Sequence, residues 1–83
     1  MNKRHIRFEN VQDALLWLMS HRNSYENDAK LFDEYGNYVI HSPYRNIIEY
    51  YYVIDPENGD WDFERMNYEE FIDKFEGIVL ENV

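Results

Sequence analysis

"RNIIEYYYVIDPENGDWDFERMNYEEFIDKFEG", residues 45–77, reads in order as a strand, a turn, a second strand and a helix. Its first ten residues are rich in β-branched and aromatic side chains. Ile48, Tyr50, Tyr52 and Ile54 share one phase of the two-residue repeat, and Ile47, Glu49, Tyr51 and Val53 share the other. The first set is expected to face the core. The second is too apolar for a plainly solvated face, so it is partly covered or available to a partner. Pro56 and Asn58-Gly59 supply turn residues. The alternation in "WDFERM" then sets Trp61, Phe63 and Arg65 against Asp60, Asp62 and Glu64. The spacing predicts a helix over 67–76, with Asn67 as N-cap and Glu70 completing a capping-box pattern. Tyr68, Phe71, Ile72 and Phe75 form its apolar stripe, and Gly77 stops it.

Upstream, "KLFDE" and "YVIHS" flank Tyr35-Gly36-Asn37, a spacing that favours a hairpin, and Pro43 ends its second strand. In "NVQDALLWLMSHR", Val11, Ala14, Leu15, Leu18 and Met19 recur at helical spacing behind an Asn10 cap, with most of Trp17 also expected in the core. "NSYENDA" reads as a polar loop, "HIRF" as a short strand with Ile6 and Phe8 on one face, and "IVLEN" as a short last strand. The expected architecture is a single α+β domain over residues 1–83. It has a three- or four-stranded antiparallel sheet packed by the helices Asn10 to Arg22 and Asn67 to Glu76.

Composition bounds the function. With 45% apolar and 18% aromatic residues, the chain has the surface needed to offset chain entropy and is not an acidic disordered tail. The absence of cysteine removes disulfides, thiolate chemistry and Cys-type zinc sites, and fits a reducing cytoplasm. No stretch reaches the ~18 apolar residues of a membrane span. A net charge of −9 argues against direct binding to nucleic acid or to an anionic membrane, and for a basic protein partner.

That charge is concentrated. Residues 55–83 hold ten carboxylates against Arg65 and Lys74. On the second helix Glu69, Asp73 and Glu76 lie at i, i+4 and i+7, each like-charge pair costing roughly 0.2–0.5 kcal/mol, and Lys74 is placed to relieve Glu70. The helix dipole favours Glu69 and Glu70 in the first turn and disfavours Glu76 in the last. Asp60, Asp62 and Glu64 form a row with the ~6–7 Å step of alternate strand residues. DNA phosphates rise ~3.4 Å along the axis and follow a longer path around it, so the two rows are comparable in spacing. An acidic face is usually a solvated face that keeps a protein soluble, and that reading also accounts for these acids.

Metal and catalytic readings find little. Asp55, Glu57, Asp60 and Asp62 have calcium-like spacing, but the Gly and Glu positions of an EF-hand loop do not follow from Asp55. His5, His21 and His41 follow no ligand motif, and each reads as a surface or half-buried histidine. His41 and Ser42, as strand neighbours, point to opposite faces. Three glycines leave no phosphate loop. The expectation is a protein that is not an enzyme and holds no metal or cofactor.

Two segments carry a resemblance. "YGNYVIHS" and "NYEEFIDKFEGIVLEN" are similar to a hairpin strand and an acidic-aromatic closing segment in the small acidic phage-encoded anti-CRISPR inhibitors, the DNA mimics that block an RNA-guided nuclease. The resemblance implies an α+β fold and acidic residues where the nuclease would hold DNA, and carries over by position only to Glu69 and Glu70. The Trp17 helix, the "DPENGDWDFERM" hairpin and the Tyr-rich strand have no counterpart in it. The reading that follows is an inhibitor of a basic DNA-binding protein or nuclease, acting through Asp60, Asp62, Glu64, Glu69, Glu70, Asp73, Glu76 and Tyr51, as a monomer or small homo-oligomer. Two alternatives stand beside it. One is a structural or adaptor phage protein oligomerising through the Tyr-rich strand, and the other an immunity protein against a nuclease toxin.

Overall fold

The computed structural model describes residues 5–22 and 29–82. The elements in chain order are β1 (Ile6–Phe8), α1 (Val11–Ser20), β2 (Leu31–Phe32), β3 (Tyr38–His41), β4 (Ile48–Asp55), β5 (Asp60–Met66), α2 (Tyr68–Phe75) and β6 (Leu80–Asn82). The polar stretch 23–28, read above as part of a loop, lies outside the described residues.

The fold is α+β as expected, but the antiparallel sheet has six strands in the order β1-β6-β2-β3-β4-β5, not three or four. Strands β2 to β5 run as a meander. After α2 the chain returns so that β6 enters between β1 and β2, pairing Ile6 with Asn82 and Phe32 with Glu81. The short end strands thereby join one sheet instead of standing apart.

Local chemistry explains where the elements begin and end. Asn10 Oδ1 accepts the N–H groups of Gln12 and Asp13 at 2.8 and 3.4 Å, capping α1. At the other end the His21 ring stacks on Trp17 at 4.0 Å and hydrogen-bonds the Trp17 carbonyl. The helix stops at Ser20, and Arg22 instead donates to the Ser42 and Arg45 carbonyls. Asn67 and Glu70 form the reciprocal capping box of α2, and Gly77 follows with a φ of 81°. The α2 helix stops at Phe75, leaving Glu76 as its C-cap.

Both helices pack on one face of the sheet. Val11, Ala14, Leu15 and Leu18 of α1 and Phe71 and Phe75 of α2 meet Leu31, Val39, Ile48, Met66 and Leu80, one buried residue from each of five strands. Phe8 completes the set from β1. Trp17 packs against this core as expected, and two core expectations are corrected. Met19 is 40% exposed. Ile54 is 61% exposed because a bulge between Val53 and Asp55 sets it outside the ladder at the far end of the β4–β5 hairpin. Neither helix is long or apolar enough to cross a membrane.

Candidate functional site

The register of β4 and β5 decides which acids lie together. Tyr50 pairs with Glu64 and Tyr52 with Asp62, while Tyr51 pairs with Phe63 and Val53 with Trp61. Cross-strand partners share a face, and Tyr50 packs edge-on against Phe75 of α2 at 5.1 Å. Asp62 and Glu64 therefore lie on the helix-bearing side of the sheet. Asp60 stands opposite Asp55 at the hairpin end. Strand and helix acids are thus on one side of the molecule.

They are not a single continuous row. Lys74 reaches Glu64 at 2.9 Å and lies 5.6 Å from the Tyr50 ring, so it answers the strand instead of Glu70. Glu70 Oε1 accepts the Asn67 N–H at 2.9 Å and serves the helix cap. At 100° per residue, Glu69 and Asp73 project away from the buried Phe71 and Phe75. Glu76 lines a shallow cleft beside Glu9, Asn10 and Gln12 at the start of α1. Asp60, Asp62, Glu64, Glu69 and Asp73 are all exposed. The hydrogen bonds of Asp55, from the Asn58 amide first and then from the Glu57 and Asn58 N–H groups, hold its carboxyl below the usual range and spend it on the turn. No group of three His, Asp or Glu side chains suited to a metal occurs among the described residues.

Tyr51 belongs to the opposite face, which no helix covers among the described residues. Register places Arg7, Glu81, Phe32, Tyr38, Tyr51 and Phe63 in one row across all six strands. Its centre is aromatic, with ring centroids 5.6 Å apart for Phe32 and Tyr38, 5.1 Å for Tyr38 and Tyr51, and 5.5 Å for Tyr51 and Phe63. Trp61 adds a ring 5.9 Å from Tyr51. Lys30 lies 4.3 Å from the Tyr38 ring, and Arg65 lies 5.1 Å from the Phe63 ring while pairing with Glu49 at 3.1 Å. The face is not uniformly open. Ile40 is buried, whereas Trp61 is 62% and Phe63 39% exposed. Between Tyr38, Tyr51, Val53, Pro56 and Trp61 lies a concavity of about 470 Å³.

The two faces differ in charge as well as shape. Acids dominate the helix side, with Lys74 set against Glu64, whereas the aromatic side balances Arg7, Lys30 and Arg65 against Glu49 and Glu81. The aromatic row joins four strands and was only partly visible in the chain, through the apolar phase of Tyr51 and Val53. His41, expected at the surface or half-buried, is fully buried. Its Nδ1–H donates to the Ser42 carbonyl at 2.6 Å, and its Nε2 accepts the Tyr68 hydroxyl at 2.7 Å, tying α2 to β3. Burial pushes its pKa below the ordinary 6.5, the Ser42 hydrogen bond opposes this, and the charge of Arg22 adds to it. No family model matches the chain, and no curated protein or solved structure is detectably similar to it.

Proposed function

We propose that this chain is a non-catalytic inhibitor that binds a basic nucleic-acid-processing enzyme, with Asp60, Asp62, Glu64, Glu69 and Asp73 standing in for DNA phosphates. The observation that carries the reading is the gathering of these exposed carboxylates on the helix side, where Lys74 pairs with Glu64, while Arg7, Lys30 and Arg65 lie on the other face. Carboxylates arranged this way steer a positively charged groove toward them and compete with DNA for it. An RNA-guided CRISPR nuclease is the target class implied by the resemblance of residues 35–42 and 67–82, and a nuclease toxin presents the same electrostatics.

The test is DNA binding by a purified type II RNA-guided nuclease and by a panel of basic nucleases, with increasing amounts of this protein. Inhibition of one of them is expected, relieved by excess DNA and weakened by salt, because exposed charges are screened over ~8–10 Å. Reversing Asp62 and Asp73 to Lys abolishes inhibition and leaves the melting transition intact or slightly higher. Inhibition that survives this reversal, or that DNA does not relieve, refutes the reading.

The aromatic row favours a second reading, assembly of copies through the Tyr-rich strand. In that case Tyr51→Glu dissociates a homo-oligomer seen by light scattering. Under the inhibitor reading the mass in solution is unchanged.

A further inference from the structure

The outer edge of β5 carries a pattern the inhibitor reading does not use. β5 ends the sheet, six of its seven residues are exposed, and among the described residues no strand pairs with its far side. Two hydrogen bonds show which of its backbone groups point outward. The Val53 N–H turns toward β3 and donates to Asn37 Oδ1 at 3.0 Å, so Val53 and Tyr51 direct their backbone groups away from β5. The Phe63 N–H, opposite Tyr51, turns outward and donates to the carboxylate of Asp62 at 2.7 Å. Direction alternates along a strand in an antiparallel pair, so Trp61, Phe63 and Arg65 offer their N–H and C=O groups to the outer edge. Their side chains lie on the aromatic face. Asp60, Asp62 and Glu64, between them, place carboxylates on the helix side.

We infer that the β5 edge accepts an added β-strand from a partner whose residues alternate between Lys or Arg and apolar side chains. This rests on the reading of the acidic surface as a partner site and names the form the partner takes there. A strand added to an edge gains main-chain hydrogen bonds, and its side chains are selected by those beside them on each face. Opposite Asp60, Asp62 and Glu64 the incoming strand places its cations, and opposite Trp61 and Phe63 its apolar groups. A second copy of β5 does not suit the edge. Antiparallel pairing centred on Phe63 sets Asp62 against Glu64 twice, and a shift by two residues either way sets Asp62 against Asp62 or Glu64 against Glu64. Like charges directly opposite destabilise a pair. The same acids therefore discourage self-pairing and select a basic strand. Asp62, seated on the Phe63 N–H, guards the edge until a competing carbonyl and a cation displace it.

The experiment uses the full chain and three synthetic seven-residue peptides: one alternating Lys with Val and Phe, one with the same residues in blocks, and the alternating one N-methylated at every second amide. Binding is read from fluorescence anisotropy, and amide exchange by NMR locates it. The alternating peptide is expected to bind at least tenfold more tightly than either control and to slow exchange at Trp61, Phe63 and Arg65 but not at Glu69. Equal affinity for all three peptides overturns the edge proposal and leaves the acidic-surface reading standing. Failure of every peptide, while DNA-competitive inhibition of a nuclease persists, does the same. Failure of the peptides together with absence of inhibition removes both. A dimer that forms without peptide and protects the same three amides assigns the edge to a second copy and overturns the proposal.

Discussion

Strand β5 and helix α2 are neighbours in the chain and share a vocabulary, "DWDFERM" and "YEEFIDKF", in which acids interleave with aromatic residues. Their aromatics meet opposite fates. The helical turn of 100° gathers Phe71 and Phe75 on one side, where both are buried against the sheet. The strand's alternation puts Trp61 and Phe63 together on the face that no helix covers among the described residues, and both remain exposed. Met66 is the one buried residue of β5, since its cross-strand partner Ile48 lies beneath the helices. Whether an aromatic residue becomes core or exposed surface depends here on the period of its element and on what covers that side.

The strongest way to break the comparison is to truncate one ring from each element. Phe71→Ala is expected to cost about 3–5 kcal/mol in urea denaturation. A chain of this size has only ~4–12 kcal/mol of stability in total, so the variant is largely unfolded on warming. Phe63→Ala should cost ~1 kcal/mol or less, since its ring is partly exposed. Equal losses would show that the β5 aromatics are core after all.

The polar partners should show the same division. Tyr68→Phe leaves the buried Nε2 of His41 without its donor, at an expected cost of ~1–3 kcal/mol. The depressed pKa of His41 also sets a pH dependence. Below about pH 6.5 the unfolded chain takes up the proton before the folded one, so stability falls as pH drops from there toward the lower folded-state value and is level above it. His41→Gln should remove most of that slope, read from urea midpoints across the range. An unchanged slope would assign it to other groups.

Smaller effects sharpen the contrast further. Asn67→Ala breaks the capping box and should lower stability by ~1 kcal/mol, whereas Asp62→Ala on the open edge should stay within ~0.5 kcal/mol. Reversal of Asp73 replaces repulsion from Glu69 by attraction at i, i+4, and should raise stability by roughly 0.4–1 kcal/mol while removing a carboxylate from the proposed contact surface. A loss of thermal stability in Asp73→Lys would mean that this acid serves the fold.

The helices, their caps, the hairpin turns and the alternation of β5 were legible in the chain, because each arises within a few residues. The caps join Asn10 to Gln12 and Asn67 to Glu70, the apolar stripes repeat at three and four, and Gly36, Gly59 and Gly77 adopt the positive φ that their turns require. The acidic row was legible for the same reason. What the chain did not reveal depends on segments far apart in it. The insertion of β6 between β1 and β2 joins Ile6 to Asn82, and turns short end strands into part of a six-stranded sheet. The burial of His41 under Tyr68, the pairing of Lys74 with Glu64 and the aromatic row through Phe32, Tyr38, Tyr51 and Phe63 all need strands to meet in one particular register. Local hydrogen bonding and side-chain period create the elements. The side on which two helices bury their apolar stripes then divides the sheet into a covered face and an open face, and that choice belongs to the whole chain at once.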